Sequence, residues 1–397
     1  MFFKEWTAWL ATARISTQVH ISADDNLLDS TDLSWIQNMA SIGDSYAAGL
    51  GSGNRVDFLC SRYSTAYPNI VHDSLRVYGW NTTHQSLACS GADTSEILTK
   101  QVPALNSTDF DLITISAGGN DIGLTPILSN CVYQFYMAGE YACRKSIEAA
   151  REKIANDTQL FQNVTRLIEA AKPHLNSTHG LIYVTGYARF FGTEDDTCDN
   201  VTWAVWRNIE RTKQYLKLEM RQTLNDMVLA VNAVLRRAVE TAGPYVRFVD
   251  YDTRIATFRG RYCELGVHEP DPNRWGLMFY QWDTVNRGEN KTNLQNSTGD
   301  GVPKGSFENG IAERINKTLL EHPDWSFDPD KGFVEKNETA VDNQGIIEDT
   351  IHWLIPDSYK RVFHMRPEGH WIVSRMIWDD LEAYTLAKAK PTEVEEL

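Results

Sequence analysis

The sequence predicts an α/β fold, a three-layer α/β/α sandwich around a central parallel sheet. Short apolar runs rich in Ile, Val or Tyr alternate along the chain with longer segments of helical pattern. Strands that alternate with helices are joined by crossovers, which makes the sheet parallel and puts helices on both faces. Several of the runs lead straight into turns of Gly, Ser, Asn and Asp, at the strand edge where open α/β sheets carry their sites. The 397 residues, 42% of them hydrophobic, are enough for one large core.

Residues 1–34 read as an N-terminal segment. Met1–Ala13 contains Phe2, Phe3, Trp6, Trp9 and Leu10, but Lys4 and Glu5 interrupt it. A signal peptide needs an uninterrupted apolar stretch, so the segment is read as an incomplete leader or a misassigned start. A single domain over residues 35–390 follows. Its strands are expected at Ile36–Ile42, Gln85–Cys89, Leu112–Ala117, Leu181–Tyr187 and Val246–Tyr251. Its helices are expected at Tyr67–Tyr78, Ser95–Val102, Tyr141–Ala171, Trp203–Ala242 and, closing the domain, Trp371–Ala387. Gly266–Gln344 differs, being rich in Asn, Asp, Gly, Pro and Trp with weak periodicity. It reads as a glycosylated insertion or lid. The alternative is a small β-rich subdomain, in which Trp275–Tyr280 would suit a strand. Residues 391–397 form an acidic tail.

The net charge of −15 makes nucleic acid a poor partner, because phosphate binding needs clustered Lys and Arg. No run of about 18 apolar residues occurs, so no membrane span is expected. The six cysteines, Cys60, Cys89, Cys131, Cys143, Cys198 and Cys263, form no CxxC pair, and no His stands at zinc-finger spacing from them. No metal and no cofactor are expected. Ten N-x-[ST] triplets begin at Asn81, Asn106, Asn156, Asn163, Asn176, Asn200, Asn290, Asn296, Asn316 and Asn337, more than chance provides. Glycan acceptors and an even cysteine count both point to an oxidising secretory route, hence an extracellular, glycosylated and disulfide-bonded protein. A monomer is expected.

Four segments carry the chemistry. Gly43-Asp44-Ser45 follows the first strand. Ala88-Cys89-Ser90-Gly91-Ala92 follows the second, and its glycine lets the backbone turn and present an N–H. Ala117-Gly118-Gly119-Asn120-Asp121 follows the third, and the Asn amide can donate to a developing negative charge. His364-Met365-Arg366-Pro367-Glu368-Gly369-His370 stands just before the closing helix. Each alone is an ordinary turn. Together and in order they supply a hydroxyl nucleophile, oxyanion donors and a base.

The order Ser, Gly, Asn, His resembles the SGNH (GDSL-type) hydrolases, and the cysteine arrangement resembles their secreted actinomycete and fungal lipases and esterases. The resemblance spans about residues 36–386, with Met365 where the family's last segment usually has Pro. It implies a flavodoxin-like sheet, Ser45 as nucleophile and His364 as general base. It also implies an oxyanion hole from the N–H groups of Ser45 and Gly91 and the side chain of Asn120, and disulfides Cys60–Cys89, Cys131–Cys143 and Cys198–Cys263. Asp44 and Asp121 receive structural roles, capping turns. His370 is the rival base, weighted below His364. The family commonly has Asp three residues before the His, where this chain has Arg361. Arg cannot accept the imidazole N–H, so the orienting group is a backbone carbonyl near Arg361, Asp357, or a residue remote in sequence. The carbonyl is favoured because the short spacing places it.

The expected function is hydrolysis of a carboxylic ester through an acyl-Ser45 intermediate, on a lipid, phospholipid, polysaccharide or other small-molecule ester. An acyltransferase using the same residues is the related alternative, and a non-catalytic binding protein on the same scaffold is the other. Trp275, Phe279, Tyr280 and Trp282 are candidates to line an acyl or aryl site, though packing is the more frequent role of such residues.

Overall fold

The structure is a computed structural model that describes residues 31–57, 60–134, 139–155, 157–204, 213–281, 284, 315, 317–328, 332–335 and 360–389. The strands among them are β1 (Asn38–Gly43), β2 (Arg55–Asp57), β3 (Arg62–Tyr63), β4 (Thr83–Ser86), β5 (Leu112–Ser116), β6 (Leu181–Thr185), β7 (Val246–Val249), β8 (Trp325–Asp328) and β9 (Gly332–Glu335). Five of them form one sheet in the order β4-β1-β5-β6-β7, every pairing parallel. Counting those five alone, the order is 2-1-3-4-5, the flavodoxin-like arrangement, and its topological switch point lies between β1 and β5. β5 and β6 are central and buried along their whole length, as continuous runs of Leu, Ile, Val, Thr and Tyr should be when both faces are covered.

Right-handed crossovers decide the layers. The β1–β4 crossover carries the helix Tyr67–Val77, which packs on the closing helix Pro367–Ala389. The crossovers running the other way carry the helices Asp157–Ala171 and Leu218–Ala242, which pack on each other. In the first of these, Leu160, Val164, Leu167 and Ile168 are buried, a stripe at helical spacing. Pro68 opens the helix Tyr67–Val77 and Gly243 ends the helix Leu218–Ala242, the usual asymmetry of helix ends.

The sequence reading and the structure differ at several elements. The second strand of the sheet is Thr83–Ser86 rather than Gln85–Cys89. An edge strand has one open side and needs no apolar run, and the apolar residues here lie downstream of it. The Leu87 and Cys89 amides still donate to the carbonyls of Ser41 and Gly43, extending the pairing toward the site. Tyr141–Ala171 is two helices, Glu140–Ala155 and Asp157–Ala171. Of the expected helix Trp203–Ala242, residues 205–212 lie outside the described residues, and the helix that is described begins at Leu218. Upstream of it Leu216 bonds to Val201 instead, and the buried Arg221 guanidinium takes the carbonyls of Leu216, Gly192 and Asp195, a demand for irregular backbone that periodicity cannot reveal. Ser95–Val102 is a short helix, Thr94–Glu96, running into a π-helix, Ile97–Gln101. The β2–β3 hairpin was not anticipated.

Trp275–Tyr280 is no strand: Phe279 and Tyr280 make single bridges to Met365 and Val362. The opening part of Gly266–Gln344 therefore belongs to the core beside the C-terminal motif. Further along it, β8 and β9 pair as a hairpin. Trp282 and most of the remainder of that stretch, with residues 1–30 and 390–397, lie outside the described residues. The cysteines pair as Cys60–Cys89, Cys131–Cys143 and Cys198–Cys263. No helix among the described residues is long and apolar enough to cross a membrane.

Candidate active site

The first motif is shaped by what β1 must do at its end. Gly43 has φ +139°, and a Cβ there would stand 2.4 Å from the Ser116 carbonyl oxygen on β5. Only glycine fits. Gln101 clamps it from the other side, accepting the Gly43 N–H at 2.7 Å and donating to the Gly43 carbonyl at 2.9 Å. Asp44 then caps the helix Ser45–Ala48, its Oδ1 accepting the Tyr46 N–H at 2.9 Å. The same oxygen accepts the Ser116 hydroxyl at 2.8 Å, and Oδ2 accepts the Tyr187 hydroxyl at 2.6 Å. Burial pushes the Asp44 carboxyl up to about 6, against the opposing pull of these hydrogen bonds. Ser45 is the first residue of the helix, so its own N–H has no intrahelical partner.

Gly91 has φ +92°, with open space where a Cβ would lie. The Cys60–Cys89 disulfide and the Ser90 N–H bonded to the Cys60 carbonyl at 3.0 Å hold its turn. Asn120 follows β5, and its Nδ2 donates to the Ala92 carbonyl at 2.9 Å, which brings the second and third motifs together. Asp121 also reaches across to the start of the helix Thr94–Glu96. Its Oδ2 accepts the Thr94 N–H at 3.1 Å and its Oδ1 accepts the Thr94 hydroxyl, tying the third motif to the segment that follows the second.

The fourth motif arrives on a loop pinned at several points. The His364 N–H bonds to the Arg361 carbonyl at 2.8 Å, and the His364 carbonyl accepts the Tyr280 N–H at 2.9 Å. Tyr46, next to Ser45, donates its hydroxyl to the Phe363 carbonyl at 2.8 Å, and its ring lies 5.1 Å from the imidazole. With the loop so held, His364 Nε2 stands 2.7 Å from Ser45 Oγ, a direct hydrogen bond between the first and last motifs across the sequence. Nδ1 faces the Val362 carbonyl at 3.4 Å. Burial pushes the imidazole down to about 4, the carbonyls of Val362, Lys360 and Arg361 pulling weakly the other way. Arg361 points elsewhere: its guanidinium donates to the Thr284 carbonyl at 2.6 Å and lies over the Tyr280 ring at 4.5 Å. Asp357 lies outside the described residues.

His370, the rival base, does not face the serine. It is 1% exposed, and its Nδ1 accepts the Tyr67 N–H at 3.3 Å, where the helix Tyr67–Val77 begins. Phe279 and Tyr280 are 0% exposed, which makes them packing and excludes them from an acyl-site lining. Trp275 is exposed and Trp282 lies outside the described residues. Among the described sequons Asn81, Asn106 and Asn200 are exposed, while Asn163 and Asn176 are half-buried; Asn156, Asn290, Asn296, Asn316 and Asn337 are not described. No group of three or more His, Cys, Asp or Glu side chains able to hold a metal ion occurs among the described residues.

The supporting residues Tyr46, Gln101, Tyr187 and Tyr280 carry no motif. Tyr187 alone left a signal, a polar-tipped aromatic at the carboxyl end of a strand run.

Residues 41–269 match the GDSL-like lipase/acylhydrolase family, a span that takes in Ser45, Gly91 and Asn120 and ends before His364. A lipase of Streptomyces rimosus is 35% identical over 154 residues, 38% of this chain and 52% of that protein. Lipase 1 of Streptomyces coelicolor is 29% identical over 190 residues, 46% of this chain and 63% of that protein. The chain thus spans less than two thirds of the length of these curated relatives. The crystal structure of an extracellular lipase from Streptomyces rimosus shares 26% identity with a TM-score of 0.44, over 58% of this chain and 86% of that one.

Proposed function

The chain belongs to the GDSL-like lipase/acylhydrolase family, and from that membership we propose that it hydrolyses carboxylic esters through an acyl-Ser45 intermediate with His364 as general base. The 2.7 Å contact between Ser45 Oγ and His364 Nε2 carries the reading. Ser45 Oγ attacks the ester carbonyl carbon while its proton passes to Nε2. The oxyanion is met by the N–H groups of Ser45 and Gly91 and by Asn120 Nδ2. The C–O bond to the alcohol breaks, and the alcohol leaves with the proton from His364. Water then repeats the sequence on the acyl-enzyme and releases the acid. An alcohol in place of water would make the same site an acyltransferase.

The base works as one half of a dyad, its Nδ1–H directed to the Val362 carbonyl. The contact is long for a hydrogen bond, and among the described residues no carboxylate contributes to the ionisation of His364. Asp357→Ala should therefore leave kcat within a few-fold of wild type; a loss of about 10⁴, as for a true triad acid, would overturn the dyad. The three disulfides and the sequons support a secreted glycoprotein, checked by a mass shift on enzymatic deglycosylation of the secreted chain. The hydrolytic reading is checked with p-nitrophenyl esters of several chain lengths. Wild type should hydrolyse at least one and Ser45→Ala none above background. A wild type inactive on all of them points to the binding-protein alternative.

A further inference from the structure

Two hydrogen bonds meet at one phenol that no motif contains. The Tyr187 hydroxyl donates to Asp44 Oδ2 at 2.6 Å and accepts the Gly119 N–H at 3.0 Å. Asp44 caps the helix that begins at Ser45, and Gly119 precedes Asn120. One oxygen therefore ties the serine's turn to the Asn120 turn, across the switch point between β1 and β5.

The phenol is itself held firmly. The Tyr187 N–H donates to Asn232 Oδ1 at 2.8 Å, and Asn232 Nδ2 returns a bond to the Tyr187 carbonyl at 2.7 Å. Asn232 sits on the long helix Leu218–Ala242 and is 6% exposed. The Tyr187 ring meets the Tyr46 ring edge-on at 5.2 Å, and Tyr46 in turn bonds the loop of His364. A Cβ on Gly119 would stand 3.3 Å from the Tyr187 ring, so the glycine admits the phenol to the backbone. Tyr187 is 4% exposed, out of reach of a substrate.

Resting on the esterase reading, we propose that Tyr187 is a positioning residue that sets the distance between Ser45 and the Asn120 oxyanion donor by bridging Asp44 to the Gly119 amide. Oxyanion donors act through fixed geometry, and their effect falls steeply when the donor drifts from where charge develops. Losing the bridge therefore weakens transition-state stabilisation while substrate binding persists.

The bridge also governs Asp44. The ionisable groups facing that carboxylate are phenols, Tyr46, Tyr67, Tyr187 and Tyr251, all pushed up by burial. Among the described residues no cation is paired with it, so its donors, Tyr187 first among them, oppose its protonation. Removing the phenol hydrogen bond raises the pH at which Asp44 takes up a proton.

The test is Tyr187→Phe, assayed on a p-nitrophenyl ester from pH 5 to 9, beside wild type, Ser45→Ala, and Leu167→Ala as a destabilised control in the remote core. Expected for Tyr187→Phe are a kcat lower by about 10- to 100-fold at pH 8, KM within about threefold, and an upper acid step in kcat that starts at higher pH than in wild type. Leu167→Ala should lower the melting temperature and shift neither kcat per folded molecule nor the profile. Asp44→Asn is the second variant: its profile should lack the upper acid step, and adding Tyr187→Phe to it should cost much less than in wild type, because the two residues act as one unit. A Tyr187→Phe enzyme with wild-type kcat and profile, or losses that multiply independently with those of Asp44→Asn, overturns the proposal while the esterase reading stands. A wild type without esterase activity overturns both.

Discussion

His370 is the sharpest place to test how this core handles charge. The residue is 1% exposed; its Nδ1 accepts the Tyr67 N–H at 3.3 Å, and its Nε2 has no partner among the described residues. Burial, with a small contribution from His364, pushes its imidazole down from 6.5 to about 3. Between those values the unfolded chain binds a proton that the folded chain does not. Stability from this group is therefore complete above pH 6.5 and is lost as pH falls toward 3. At pH 4.5 the medium lies about two units below the unfolded value, and at roughly 1.4 kcal/mol per unit the loss is about 3 kcal/mol relative to pH 7.5. His370→Asn keeps an acceptor at the position of Nδ1 and removes the titration. Urea unfolding of wild type and variant at pH 7.5 and 4.5 gives the comparison, in which contributions from other groups cancel. The variant should be weaker at pH 7.5, on the order of 1–3 kcal/mol for the space it leaves, yet its decline to pH 4.5 should be smaller than that of wild type by about 3 kcal/mol. Equal declines in the two proteins would refute the reasoning.

Two further outcomes follow from the site geometry. Asn120→Ala should lower kcat by about 10²–10³-fold with little change in KM, since its amide is needed only when charge develops on the oxygen; steady-state kinetics on one ester decides this. Because burial holds the His364 imidazole at about 4, the base stays unprotonated through the mildly acidic range. The final acid loss of kcat/KM should accordingly fall near pH 4, below the partial step due to Asp44 near 6, and a single loss centred at 6.5 would count against a buried base.

The legible part of the site was the part that glycine and motif chemistry dictate. Gly43 and Gly91 adopt positive φ, and such positions write themselves into a sequence because few other residues fit. The turns they begin, with Asn120 after β5 and His364 before the last helix, could be ordered along the chain before any contact was known. The central strands were legible for a similar reason, since burial on both faces demands an unbroken apolar run. The supports were not. Gln101 clamps Gly43 from 58 residues away and Tyr187 reaches Asp44 from 143, and a lone Gln or Tyr carries no spacing signal for a partner that distant. The start of the helix Leu218–Ala242 was not legible because Arg221 and the loop it gathers override helical periodicity. For Phe279 and Tyr280 packing is the more frequent role of such aromatics, and in the fold they brace the His364 loop.

The central claim is that Ser45 carries the acyl group. Rapid acid quenching during turnover of a p-nitrophenyl ester, followed by peptide mass mapping, tests it directly. The account predicts an acyl-sized mass increase on the peptide containing Ser45, absent in Ser45→Ala and strongly diminished in His364→Ala. Acylation of a different residue, or ester turnover that persists in Ser45→Ala, would contradict it.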